Sequence, residues 1–191
     1  MSPPRPYAGL SARWRAFALD YLLIALYLMV IAGLGLVVGS EAPLLWETAF
    51  GSPALAQASG FVLVTLPVSL YFALLESSRW QGSWGKRKLG LKVVGPGSTR
   101  LSAARALGRT ALKFLPWELA HGYVWHLSLA PTAPSPLATL GLALVWLLVG
   151  ANVLSLLLSA KRQTLYDRLA ATYVLSSASP CRNSRPAPPA G

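Results

Sequence analysis

The sequence predicts an all-α membrane protein with four transmembrane helices, both termini cytoplasmic, and a short strand-like cytoplasmic loop between helices two and three. Three observations carry that expectation. The chain is 54% hydrophobic and 12% charged over 191 residues, about half the charge of an ordinary soluble domain. A one-domain length leaves no soluble core large enough to take up the excess. Several stretches reach the ~20 apolar residues needed to cross a bilayer, and the basic residues fall on one side of a four-crossing topology.

Residues 1–12 read as a cytoplasmic N-terminal segment, and residues 13–176 as the membrane domain. Its first helix is expected at about 14–38. Asp20 interrupts the apolar run early and the run continues to Val38, which is too long for the apolar region of a cleavable signal peptide. The second helix is expected at about 55–75 and the fourth at about 137–159. The third, 102–129, is not found by hydropathy, because it carries Arg105, Arg109, Lys113, Glu118, His121 and His126. Residues 177–191 read as a disordered cytoplasmic tail. Cys181 within it is the single cysteine, so it has no internal disulfide partner.

Charge placement argues for the third crossing. With four crossings and the N-terminus inside, all 17 Lys and Arg lie on the cytoplasmic side. The outer segments GSEAPLLWETAFGSPA and APTAPSP contain none. Three crossings would put Lys161, Arg162, Arg168, Arg182 and Arg185 outside, against the excess of basic residues in cytoplasmic loops. The same distribution accounts for the net charge of +11 through orientation and attraction to anionic lipid heads. No soluble basic face with a reading element is present, so nucleic acid is not an expected partner.

The loop ESSRWQGSWGKRKLGLKVVGPGSTR has Leu89, Leu91 and Val93 alternating with Gly90, Lys92 and Val94. That period of two suggests a short strand before the Gly95-Pro96-Gly97 turn. Trp80 and Trp84 suit the bilayer interface. Ser102 is placed to cap the next helix, on which Arg105, Arg109 and Lys113 recur every four residues as a cationic stripe. That stripe reads either as a snorkelling interfacial face or as a source of counter-charges for a buried carboxylate.

Asp20 is the expected centre of that site. A carboxylate inside a membrane helix is costly and turns toward a partner, a polar cavity or a transport path. Arg13 shares its helix face, but lies about 10 Å away along the axis at 1.5 Å per residue. Both side chains point toward the N-terminus, which argues against a direct pair. The geometry therefore predicts that Asp20 pairs with Arg109 or Lys113, and that Arg13 meets Asp167 just past the fourth helix. Glu76, Glu118 and His121 complete the supporting polar set.

Four blocks in order, RWRAFALDYLLI, YFALLESSRWQGSWGKRKLGLKVV, SAARALGRTALKFLPWELAH and KRQTLYDRLAATYVL, resemble the RDD family of small bacterial membrane proteins. The resemblance covers roughly residues 9–176. The family is named for one arginine and two aspartates, which fall here on Arg13, Asp20 and Asp167. The chain departs from the family pattern at Ser83-Trp84, where Thr or Ser often precedes Leu or Pro, and at Tyr166, where His often precedes the second aspartate. It departs again at Ala171-Thr172, where Ala-Gly-Thr is usual. If that histidine moves protons in relatives, this chain lacks the group, since tyrosine titrates near pH 10. The resemblance implies a multi-pass protein of the bacterial inner membrane, with transport of unidentified ligands suggested and sodium/proton antiport linked to some members.

Two functions are expected to compete for the Arg13, Asp20 and Asp167 set: a path for a cation or proton, and an ion-pair lock on the bundle in a structural or assembly protein. The expected partners are membrane lipids and, under the first reading, that cation or proton. Gly35 and Gly39 form a Gly-x-x-x-Gly spacing that permits close packing and a homodimer. Glu118 and His121 have the Glu-x-x-His spacing of a di-iron half-site without the second copy and further carboxylates, so no metal and no cofactor are expected. Gly85-Lys86 lacks the remainder of a phosphate-binding loop. Asn152, Ser155 and Ser159 line one face of the fourth helix as candidate interhelical hydrogen bonds. Pro116 marks an expected kink. No nucleophile sits beside a base, so no enzyme is expected; lipid chemistry with His121 or His126 as base is the nearest alternative.

Overall fold

The computed structural model describes residues 7–129 and 136–176. The tail 177–191 with Cys181, and most of APTAPSP, lie outside the described residues. Helix α1 runs over Leu10–Glu41 and α2 over Pro43–Phe50. Helix α3, Pro53–Gly60, passes through a π turn at Phe61–Thr65 into α4, Leu66–Ser77. Then come α5, Trp84–Lys88, strand β1, Leu91–Val94, and the 27-residue α6, Ala103–Leu129. The described residues end with α7, Pro136–Leu158, α8, Leu165–Leu169, and β2, Tyr173–Ser176.

Three helices are long and apolar enough to cross a membrane: Leu10–Glu41, the continuous Pro53–Ser77 rod, and Thr139–Leu158 within α7. At ~1.5 Å per residue α6 also has the length for a span, but its charges set it apart. Helix α6 is central, packing on α3, α4 and α7, whereas α1 packs chiefly on α5 and α2. Leu22, Met29, Leu36, Trp146, Leu147 and Leu158 stay exposed on their helices, which in a membrane protein presents them to acyl chains.

The segment between α1 and α3, expected as an outer loop, is helical. Pro43 opens α2, where its fixed φ suits the first helical turn. The Trp46 ring lies on Gly35 and Gly39, 3.4 and 3.7 Å from where their Cβ atoms would be. The face that the glycine spacing would offer to a second copy is therefore covered by the chain's own α2.

The π turn has a local cause. Pro67 has no N–H for the carbonyl of Leu63, and the Tyr27 hydroxyl of α1 donates to that oxygen instead. Pro116, by contrast, lies buried inside an unbroken α6.

Strands β1 and β2 pair antiparallel, Leu91 opposite Ser176 and Val94 opposite Tyr173. Tyr7 bridges to Leu175 and the amide of Ala8 donates to Val174 O at 2.8 Å. The N-terminal residues, the central loop and the C-terminal strand thus meet in one cap at one end of the helices. The buried apolar cluster sits here, built from Ala8, Ala16, Ala73, Leu91, Val93, Leu101, Ala106 and Val174. It is formed where the cap lies on α1, α4 and α6.

Candidate functional site

Asp20 is 1% exposed, and its partners are neutral. Its Oδ1 accepts from the Tyr71 hydroxyl at 2.9 Å and from the backbone N–H of Gly85 at 2.7 Å. Its Oδ2 accepts from Ser83 Oγ at 2.5 Å. The expected pairing of Asp20 with Arg109 or Lys113 is therefore corrected. Asp20 binds the first turn of α5 from across the helix interface, where free amides and the helix dipole favour a negative charge. Gly85 makes this approach possible, since a Cβ there would lie 2.1 Å from Ala16 O and 3.0 Å from Asp20 Cγ.

Arg109, also 1% exposed, lies at the centre of a second, charged network. Its Nη1 donates to Glu76 Oε2 at 2.5 Å. Its Nε donates to Asp167 Oδ1 at 2.9 Å, with Nη2 2.8 Å from the same oxygen. Arg13 Nη1 donates to Asp167 Oδ2 at 2.6 Å, and its Nη2 to the carbonyl of Arg162 at 2.7 Å. Lys86 of α5 donates to Glu76 Oε1. One guanidinium thus ties α4 to α8, while Arg13 ties α1 to α8 and Lys86 ties α5 to α4. The rigid fork of arginine suits two simultaneous carboxylates.

Asp167 is also the third residue of α8. It forms a capping box in which Thr164 Oγ1 accepts from its amide and its carboxylate accepts from the amide of Thr164. Burial works against ionisation of Asp167, but Arg109 and Arg13 outweigh it and hold the carboxyl well below the usual range. Burial pushes the Lys86 ammonium below its ordinary value despite the opposing charge of Glu76. Tyr166, where relatives often have histidine, lies with its ring 5.1 Å from the Arg109 guanidinium. Burial raises its phenol further.

Lys113 stands apart from these pairs. Among the described residues no carboxylate lies within ion-pair distance of it. Its ammonium sits 3.4 Å from the centre of the Phe72 ring. It borders a cavity of about 490 Å³ between α1, α6 and α7 that also reaches Arg13, Asp20, Lys86 and Arg109.

Glu118 and His121 belong to a different place. Glu118 accepts from Gln57 Nε2 at 2.6 Å and from Thr65 Oγ1, joining α6 to the π turn. His121 Nδ1 lies 3.1 Å from the carbonyl of Trp117, so the two are not brought together as ligands. Among the described residues, Asn152 and Ser155 of α7 make no bond to a neighbouring long helix: Asn152 Nδ2 donates to Leu148 O of its own helix at 2.8 Å and its Oδ1 accepts from Tyr166 N at 3.4 Å, while Ser155 Oγ donates to Gln163 O at 3.0 Å.

Glu76, expected only in a supporting role, proves central, and Tyr71, Ser83, Lys86, Thr164 and Thr172 join the site without having been expected there; the Thr172 hydroxyl lies 3.2 Å from Arg109 Nε. A signal for Glu76 was present. Only Asp20, Glu76 and Asp167 of the chain's six acids fall on the basic side, and all three are buried there. Thr164-x-x-Asp167 is likewise a legible capping box.

The RDD family model matches residues 7–171. An uncharacterised protein of Bacillus subtilis (strain 168), YxaI, is 43% identical over 49 residues, a quarter of this chain and about a third of that relative's length. No solved structure matches. With the family pattern running across nearly the whole chain, this apolar helical protein belongs to the RDD family.

Proposed function

We propose that this is a multi-pass protein of the bacterial inner membrane with four crossings, in which Arg13, Asp20 and Asp167 belong to a fixed lock that seats the cytoplasmic cap on the helices. One observation carries the reading: all six carboxylate oxygens of Asp20, Glu76 and Asp167 accept from protein donors on other elements. A relay needs a carboxylate free to exchange its proton or cation. Here each is already engaged, and removing one partner would leave a buried charge uncompensated.

The crossing of α6 is supported by its position between α4 and α7 and by the basic residues at its cap end. Both termini on one side is supported by Tyr7, β1 and β2 meeting in one cap. A homodimer through Gly35 and Gly39 would have to displace Trp46, so the reading is built on one copy. It assigns the chain no catalytic activity and no cofactor.

Movement of a cation or proton is the second reading, favoured by a cavity that both Lys113 and Asp20 line. Flux in reconstituted vesicles under sodium and proton gradients separates the two. Under the lock, wild type and Asp20→Asn give the same flux per folded molecule, and the variant is less stable. A wild-type flux abolished in folded Asp20→Asn overturns the lock.

A further inference from the structure

The inner network does not balance. Arg13, Lys86, Arg109 and Lys113 face Asp20, Glu76 and Asp167, and of these four cations Lys113 alone has no carboxylate within ion-pair distance among the described residues. An ammonium in largely apolar surroundings without a counter-ion is costly. Lys113 lines the cavity between α1, α6 and α7, which has a polar end with Arg13, Asp20, Lys86 and Arg109 and apolar walls beyond it, Trp14 and Phe17 on one side and Val149 and Val153 on the other. The cleft is open at the side, where Trp14 and Phe17 of α1 remain exposed. Its cationic end adjoins the cap, where the phosphates of the inner leaflet would lie.

We propose that this cleft binds an anionic phospholipid of the inner leaflet, with the phosphate beside Lys113 and one acyl chain along the Phe17 and Val149 walls. Basic pockets between helices on the cytoplasmic side suit this class of ligand. A zwitterionic lipid presents the same phosphate but carries its own ammonium to the cationic end, so the site discriminates by net headgroup charge. The inference does not rest on the lock, which needs no occupant in the cleft.

Tryptophan quenching by brominated lipid tests it, because Trp14 and Trp117 both line the cleft. The full chain is reconstituted into phosphatidylcholine vesicles containing equal mole fractions of brominated phosphatidylglycerol or brominated phosphatidylcholine. The expected preference for phosphatidylglycerol is about fivefold, the effect of one well-placed lysine. Lys113→Gln should abolish it, while Lys92→Gln, the same charge loss at an exposed position, should leave it intact. Val149→Phe narrows the groove without changing charge and should also reduce it. Equal quenching by both lipids in wild type overturns the proposal, as does an equal loss in Lys92→Gln and Lys113→Gln. Should Lys113→Gln fail to fold, Val149→Phe decides: a retained preference overturns the site and a lost one supports it.

Discussion

The backbone N–H of Gly85 donates to Asp20 at 2.7 Å, so the first aspartate of the family's name is held by the start of the short helix α5. This contact requires α5 to lie flush on α1. Gly85→Ala puts a methyl group 2.1 Å from a backbone oxygen that cannot rotate away. The expected loss is about 1–3 kcal/mol, the usual cost of overpacking, read from thermal unfolding in detergent. Gly141→Ala, where a Cβ meets nothing within 4 Å, should leave the midpoint unchanged or slightly raised.

Arg109 is expected to be the most sensitive charged position. Arg109→Met leaves Glu76 and Asp167 buried without their shared cation, a change that costs about 3–5 kcal/mol. Arg109→Lys should not restore stability, because one ammonium cannot reproduce a fork to two carboxylates. Adding Glu76→Gln to Arg109→Met should recover part of the loss. A simple sum of the two single effects would show that the pair does not couple.

Acid should unlock the cap through Asp167. Its carboxyl is held below the ordinary range when folded, so the folded state binds that proton less tightly than the unfolded one. The stabilisation is therefore complete above the unfolded value of about 3.9 and is lost as pH falls below it toward the folded value. Thermal melts between about pH 6 and 3 should show Asp167→Asn less stable than wild type at the upper end. Below about pH 4 the gap between them should narrow.

Topology can be read with single cysteines introduced into Cys181→Ser, which removes the only native thiol. Four crossings place Lys92→Cys and Lys161→Cys on the cytoplasmic side and Thr48→Cys outside. An impermeant maleimide added to intact cells should label only position 48. Labelling at 161 from outside would mean three crossings.

Particular residues show how far the string alone was readable. Hydropathy marks α1, the Pro53–Ser77 rod and α7, because a span must be apolar along its whole length whatever its neighbours are. Alternation at Leu89 to Val94 points to β1, yet its partner β2 lies about eighty residues away and carries no local sign of the pairing. Helix α2 does not show in the string, because its reason to form is the Trp46 ring seated on Gly35 and Gly39, a contact made across a turn. For Asp20 the rule that buried charges find opposite charges predicts a cation. The structure meets its charge with a hydroxyl pair and an amide, which composition cannot signal.

What the sequence by itself determined is the membrane character, the asymmetry of basic residues and the three positions Arg13, Asp20 and Asp167. Each is set by free energies of transfer, or by a pattern that local residues carry. Only the tertiary structure decided which groups meet. Arg109 takes both Glu76 and Asp167, Asp20 takes α5, and Lys113 is left facing a cleft. Those choices depend on which helix faces come together once the cap has folded, and a buried charge takes whichever donors that packing places within about 3 Å.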